Sequence, residues 1–374
     1  MLFVARHISD LNIQTFRGIK DLELKNLGDI NIIVGANNCG KTSALEAIML
    51  LSRPGDFSNV VSIARLREAS RNSPRMSVSF YDSFLYLFNR LNEELVISIS
   101  GIINEKYISS KTTGRVEKML IDANEIIKRY QTGKQRLNEE AINESEEVDS
   151  FVGEIQFENG EISLIPNLTT VVFNKYERVM PIEIRKAFLN MTFISAIDHI
   201  VKNIFRNIVK NKKFRSQVVE ILRIFDPNIE DLRIIVDDHG RITQVIEDLL
   251  LGDMPLSSYG DGIKKVIALA SGIVEAKDGV LLIDEIETSI HTSALKNVFA
   301  WLIYACKEFN VQLFLTTHSL ETVDAMLNCI GNDRNDDLIR VITLVKKENK
   351  TVARVLTGEK ALQVRDEYDM ELRS

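Results

Sequence analysis

The chain has 374 residues, 45% of them hydrophobic and 26% charged, with a formal net charge of −7. This is the mixture of a soluble globular protein long enough to bury a core without disulfides or a structural metal. The acidic balance argues against a globally cationic nucleic-acid binder, although it leaves room for a local basic patch. Three scattered cysteines (Cys39, Cys306 and Cys329) form neither a disulfide framework nor a CxxC zinc site, which points to a reducing, cytoplasmic setting. Charges run through the first thirty residues and no uncharged apolar run approaches the ~18 residues of a span, so neither a signal peptide nor a membrane segment is expected.

Ile8 to Phe16 alternates loosely, Arg17-Gly18-Ile19-Lys20 predicts a bend, and Leu22 and Leu24 resume the alternation. Ile30-Asn31-Ile32-Ile33-Val34 is a β-branched run of the kind that makes a buried strand, and it ends at Gly35. Ser43 to Leu51 reads as a helix that stops before Pro54. Residues 76 to about 110 read as β structure, first through Val78, Phe80, Phe84 and Tyr86 and then from Leu95 to Ile99. Residues 115–150 are polar, with an acidic stretch from Glu139 to Asp149, and read as a solvated helix or mobile loop; strand-like pieces return over 151–173. From His199 to Phe225 the pattern is helical: Ile200, Ile204 and Ile208 recur every four residues, as do Lys202, Arg206 and Lys210 on another face, until Asp226-Pro227. Leu232 to Val245 reads as a hairpin around Asp237-Asp238-His239-Gly240. The final third alternates: helix 262–276, strand 280–284, helix 292–308, strand 311–316, helix 319–329, and a hairpin at 340–347 and 351–356. Such alternation argues for a mostly parallel sheet. No internal repeat and no sustained heptad pattern is present.

Gly35-Ala36-Asn37-Asn38-Cys39-Gly40-Lys41-Thr42 fits G-x-x-x-x-G-K-[ST] at every fixed position, between a predicted strand and a predicted helix. The glycines let the backbone turn sharply so that its N–H groups face phosphate oxygens, and the following helix adds the positive end of its dipole. Lys41 then reaches the β- and γ-phosphates of ATP, and the Thr42 hydroxyl coordinates Mg2+, with Ser43 opening the helix. Val280-Leu281-Leu282-Ile283-Asp284-Glu285 is an apolar strand ending in two acids. Asp284 would hold the magnesium and Glu285 would polarise the attacking water.

Two further pieces narrow the class: Pro255-Leu256-Ser257-Ser258-Tyr259-Gly260-Asp261-Gly262 directly before a helix, and Leu315-Thr316-Thr317-His318-Ser319 at a strand end. With the two motifs above they resemble the ATP-binding cassette ATPases. Phe16-Arg17-Gly18-Ile19 followed by the Ile32–Ile48 segment looks like the RecF/SMC/OLD-type members. Ser258-Tyr259-Gly260-Asp261-Gly262 with Leu282-Ile283-Asp284-Glu285-Ile286-Glu287-Thr288-Ser289-Ile290-His291 is similar to the bacterial AAA15/AAA21 group. The resemblance covers roughly 1–60 and 250–325. It implies an α/β P-loop NTPase fold, an ABC-type ATPase head with a mixed sheet at 1–99 and 240–374, and an inserted α+β or helical lobe at 100–239. It further implies that Ser257, Ser258, Gly260, Asp261 and Gly262 cap the γ-phosphate held by a second copy. His318 would sense that phosphate, Arg17 would lie near the phosphates, and His291 would take the place where many relatives carry the D-loop aspartate. No Q-loop glutamine is identifiable beyond Gln156. OLD nucleases continue into a Toprim domain, and with Ser374 soon after the last hairpin no nuclease of that kind is expected here.

The function this implies is an ATPase that dimerises on ATP and regulates a separately encoded effector such as a nuclease, in anti-phage defence. A RecF-like repair clamp on duplex DNA and a nucleotide-gated scaffold with little turnover are the alternatives, and a transporter ATPase is a distant fourth. Between His199 and Val219 lie Lys202, Arg206, Lys210, Lys212, Lys213 and Arg215 with no acid. They form a DNA-backbone surface, a docking face for an acidic partner, or the solvated side of an amphipathic helix. Cys39, inside the phosphate loop, would make ATP binding sensitive to thiol reagents if exposed.

Overall fold

A computed structural model of the chain describes residues 6–67, 79–89, 94–122, 145–160, 167–177, 187–201, 205–236, 240, 242–329, 338–348 and 350–368. In chain order its strands are β1 (Ile8–Phe16), β2 (Ile19–Leu24), β3 (Ile30–Val34), β4 (Leu95–Ile103), β5 (Lys106–Ile121), β6 (Glu146–Glu158), β7 (Asn167–Asn174), β8 (Met191–Ile194), β9 (Ile229–Val236), β10 (Ile242–Asp248), β11 (Gly252–Pro255), β12 (Val280–Ile283), β13 (Gln312–Thr316), β14 (Ile339–Lys347) and β15 (Lys350–Thr357). The helices are α1 (Lys41–Leu50), α2 (Phe57–Ala64), α3 (Phe80–Leu85), α4 (Asp198–Val201), α5 (Phe205–Val209), α6 (Lys212–Leu222), α7 (Asp261–Glu275), α8 (Thr292–Glu308), α9 (Leu320–Asn328) and α10 (Gly358–Tyr368). Two compact units divide the chain: Met1–Asp10, Leu24–Leu45 and Leu189–Ser374 form the first, Leu11–Glu23 and Glu46–Phe188 the second.

The first unit is built on a six-stranded sheet of order β15-β14-β3-β13-β12-β8. The four pairings from β14 to β8 are parallel, while β15 pairs β14 antiparallel. All of β3 and β12 is buried, the condition under which parallel strands read as unbroken apolar runs. Asn31 is the one polar residue of β3 and is fully satisfied: its Nδ2 donates to the carbonyls of Gly28 (2.8 Å) and Leu313 (3.3 Å), and its Oδ1 accepts from Gly28 N (2.9 Å). One core binds Ile32 and Val34 of β3, Ile283 of β12, and the apolar faces of α6, α7 and α8. The antiparallel sheet β11-β10-β9 adds Ile229, Leu232 and Ile246 to that same core.

The second unit carries the sheet β2-β1-β4-β5-β6-β7, antiparallel from β4 to β7. One face of it buries a cluster of rings in which Phe84 meets Phe57, Phe88, Phe151 and Phe173 edge to face at centroid distances of 5.0–5.3 Å. Gly114 of β5 lies opposite Gly153 of β6. A Cβ at either would come within 2.7 Å of the Phe151 ring, so two bare backbones make room for one aromatic side chain.

Most elements fall where the periodicity puts them, and the exceptions have physical causes. Residues 80–85, read as strand, form α3: Ser79 caps it by accepting from Asp82 N at 3.0 Å, and burial follows Tyr81 and Phe84 while Phe80 and Tyr86 are half exposed. Val78 lies outside the described residues. The polar stretch 115–150 is extended at both ends: β5 runs on to Ile121 and β6 begins at Glu146, paired with each other through Ile121 and Glu146. These arms are largely exposed, so they carry no apolar alternation; residues 123–144 lie outside the described ones. The helical run from His199 is broken into α4, α5 and α6, with Asn211 capping α6 by accepting from Phe214 N at 3.1 Å. Neither β8, β11 nor α10 is visible as a pattern, being short or mixed in polarity. The compact units are also cut differently from the segments 1–99 with 240–374 and 100–239. Residues 189–239 group with the first unit, because β8 pairs with β12 and α5 and α6 pack on α7, and residues 46–99 group with the second.

Candidate active site

β3 delivers the chain to Gly35, whose φ of +145° belongs to glycine. A Cβ there would lie 2.4 Å from the Leu344 carbonyl oxygen and 2.8 Å from Cys39 Sγ, so the neighbouring strand β14 presses on the loop at that point. Asn38 (φ 63°) and Gly40 (φ 106°) supply the remaining turns, and α1 starts with Ala44 N donating to Gly40 O at 2.8 Å. Ala36, Asn37 and Asn38 are exposed at the tip, while Cys39 is buried beneath it. Lys41 is buried, and its Nζ donates to the carbonyls of Gly35 (2.9 Å) and Ala36 (3.0 Å). Burial lowers its pKa, against the opposing pull of Cys39, Asp284, Glu285 and Glu287.

Neighbouring strands bring the acids to the loop. Thr42 Oγ1, on the first turn of α1, donates to both Asp284 oxygens at 3.0 Å. Thr316, ending β13, donates from Oγ1 to Asp284 Oδ1 at 2.7 Å and accepts from Glu285 N at 2.9 Å. Glu285 stands in the left-handed region (φ 46°), and its Oε1 is 3.9 Å from His318 Nε2. His318 N in turn donates to Glu287 Oε1 at 2.8 Å. The result is a half-exposed carboxylate–imidazole pair beside a carboxylate held by two hydroxyls. Thr42 and Asp284 are hard oxygen donors, the type that Mg2+ shares with phosphate oxygens. Among the described residues no group of three His, Cys, Asp or Glu side chains is arranged to hold a metal alone, so such an ion would need oxygens from the nucleotide.

Ser257 and Ser258 sit exposed on a single 3-10 turn, and no hydrogen bond ties either to the Lys41–Asp284 group. Gly260 caps α7 with its backbone, Asp261 opens the first turn, where it meets Lys264 at 3.2 Å, and a Cβ on Gly262 would lie 3.0 Å from Ser289 O. Backbone N–H groups at such an exposed helix N-terminus are the kind that bind anions. His291 caps α8, its Nδ1 accepting from Ser293 N at 3.3 Å. Arg17 belongs to the second unit, where its Nε meets Glu46 Oε2 at 2.8 Å; Arg67 meets the other oxygen of Glu46 at 2.6 Å. Gln156 lies on β6, hydrogen-bonded to Glu158 at 3.1 Å. Of the basic run, Lys210 and Lys212 are exposed, Lys213 pairs with Glu308 (2.5 Å) and Arg215 with Asp231 (3.1 Å). Lys202 and the Arg206 side chain lie outside the described residues.

Sequence reasoning missed Thr316, which merely precedes the Thr-His pair, and Glu287, which follows the acidic strand end. It also missed Lys265, the second of two adjacent lysines near the start of an apolar helix. All three act through partners far away in sequence.

No described helix is long and apolar enough to cross a membrane. Residues 30–324 match the family described as "AAA domain, putative AbiEii toxin, Type IV TA system". An ATP/GTP phosphatase of Helicobacter pylori is 24% identical over 94% of this chain and 96% of its own length. The DNA replication and repair protein RecF of Nitrosococcus oceani is 44% identical over 61 residues, which are 16% of this chain and 17% of RecF. The Smc head domain with an extended coiled coil, bound to the C-terminal domain of ScpA and derived from Pyrococcus furiosus, superposes with a TM-score of 0.52 at 13% identity, covering 97% of this chain and all of that one. The phosphate loop and the acidic strand end lie within the matched residues, and the fold is that of the Smc head domain; the chain belongs to the family described as "AAA domain, putative AbiEii toxin, Type IV TA system".

Proposed function

We propose that the protein hydrolyses Mg-ATP between two copies of itself and uses that cycle to regulate a separately encoded effector, such as a nuclease, in anti-phage defence. The observation that carries the reading is Thr42 Oγ1 lying 3.0 Å from both oxygens of Asp284, with Glu285 and His318 paired beside them. In this reading the backbone of Gly35 to Gly40 cradles the phosphates. Lys41 exchanges its loop carbonyls for β- and γ-phosphate oxygens, which also relieves the desolvation that burial imposes on it. Thr42 and Asp284 would hold Mg2+, which would supply charge neutralisation to the transferred phosphoryl group. Glu285 orients and deprotonates the attacking water, and His318 reads the γ-phosphate. Ser257, Ser258, Gly260, Asp261 and Gly262, exposed at the start of α7, cap the γ-phosphate on the other copy.

Glu285→Gln tests the assignment: this variant binds ATP, loses turnover and accumulates dimers on ATP in light-scattering chromatography. Hydrolysis at the wild-type rate would sink it. The defence role is tested by challenging cells carrying the gene and its neighbours with phage, with Lys41→Ala as the blank. A RecF-like clamp on duplex DNA is the second reading, favoured by the local identity to RecF and by exposed Lys210 and Lys212. ATP-dependent binding to duplex DNA that falls steeply with salt supports it, and ATPase activity indifferent to DNA counts against it.

A further inference from the structure

Two oppositely charged groups of the first unit are buried without a hydrogen bond: Lys265 Nζ and Glu287 Oε2. Lys265 stands on the first turns of α7, the helix that opens at the serine–glycine segment, and is 0% exposed. A lysine this deep without a partner is costly, and burial pushes its pKa down to about 8. Glu287 opposes that push most strongly, followed by Asp198, Asp284 and Glu285. The start of α7 packs against the segment that follows β12, Gly262 against Ser289 O, so the attraction of these acids offsets part of the cost of burying the lysine.

Glu287 is the hub of that segment. Its Oε1 accepts the main-chain N–H of His318 at 2.8 Å, while its Oε2 is buried and takes no hydrogen bond. The segment itself is tightly constrained. Glu285 (φ 46°) and Ser289 (φ 70°) both sit in the left-handed region, and Ser289 O lies 3.0 Å from where a Cβ on Gly262 would be. Ser289 Oγ also meets His199 Nε2 at 3.2 Å. Packing alone does not call for an ammonium here, because a methionine fills nearly the same volume without the desolvation cost. The charge is what distinguishes lysine.

We propose that Lys265 is a positioning residue: its buried charge fixes Glu287, and through Glu287 the His318 main chain and the Glu285 turn, so that hydrolysis responds to how the serine–glycine helix is seated. This rests on the ATPase reading above, in which the start of α7 meets the other copy's nucleotide. Engagement of that nucleotide would then be felt at the hydrolytic carboxylate of the same chain, linking the two sites of a dimer.

The test compares full-length wild type with Lys265→Met, Glu287→Gln and the double variant, measuring kcat, KM for ATP and Tm. Lys265→Met is expected to lower kcat by about 10- to 100-fold, to leave KM within about threefold, and to keep or raise Tm, since a costly buried charge is gone. Glu287→Gln lowers kcat in the same way, and the double variant is no slower than the slower single one. Lys265→Met with kcat within about twofold of wild type overturns the proposal. So do additive losses in the double variant, and so does a Lys265→Met chain that fails to fold, because the lysine would then be serving the packing. A wild-type chain with no more turnover than Lys41→Ala removes the ATPase reading itself, a result separate from all of these.

Discussion

A methyl group on Gly35 has no place to go, and this one position shows how little tolerance the phosphate loop has. Its φ of +145° and the Leu344 oxygen 2.4 Å from a would-be Cβ both exclude a side chain. Gly35→Ala is expected to weaken binding of a fluorescent ATP analogue at least tenfold, since left-handed strain of about 1–3 kcal/mol adds to a backbone clash; an unchanged Kd would show that the loop yields. Thr316 carries two bonds, one into Asp284 and one from Glu285 N. Thr316→Val leaves Asp284 with Thr42 alone and Glu285 N without this acceptor, at about 1–3 kcal/mol, and is expected to lower kcat about tenfold, whereas Thr316→Ser keeps the hydroxyl and most of the rate. Lys265 gives a pH signature. Its folded pKa of about 8 lies below the ordinary 10.5, so the unfolded chain binds more protons between those values and stability rises with pH across that window. The difference is on the order of 3 kcal/mol and is absent from Lys265→Met. Urea midpoints of the two proteins at pH 7.5 and 10 measure it; parallel changes would mean that the charge is not desolvated.

Elements owe their stability to what their buried faces meet. In the second unit Phe84 of α3 is wedged among Phe57, Phe88, Phe151 and Phe173. Phe84→Ala is expected to cost about 3–5 kcal/mol in urea denaturation, the usual price of an aromatic cavity. Phe80→Ala, on the exposed side of the same helix, should cost far less. The same helix shows why local pattern misleads over short stretches. Phe80, Phe84 and Tyr86 have the even spacing of a strand, yet only Phe84 is buried, and the Ser79 cap sets the helical phase. Across β5 and β6 the opposite holds: polar residues stay in strands because the backbone ladder, extending from Ser109↔Glu158 to Ile121↔Glu146, asks nothing of side chains that face water.

At the scale of the whole molecule the question is how many chains make one active site. Ser257 and Ser258 are exposed and bonded to none of the loop residues of their own chain, which suits a role on another copy. Lys41→Ala and Ser258→Arg should each be inactive alone. Mixed in equal amounts, they form heterodimers with one intact composite site, so turnover should recover to about a quarter of wild type. Recovery no greater than the sum of the two variants would mean that each chain carries a complete site.

Taken by itself, the amino-acid order determined what depends on neighbours in the chain. The phosphate loop, β3 and α1 around it, the acidic end of β12 and the strand–helix alternation after residue 260 all follow from spacing and periodicity within a few turns of backbone. Only the tertiary structure decided the rest. It clamps Asp284 between Thr42 and Thr316, which are 274 positions apart in the numbering (316 − 42), and it seats Glu287 under His318. It also draws β8 and α6 into the first unit and leaves Lys265 buried beside the acids. Sheet pairing and burial join residues with no local relation, and the cost of burying a charge exists only once the surrounding chain has excluded water.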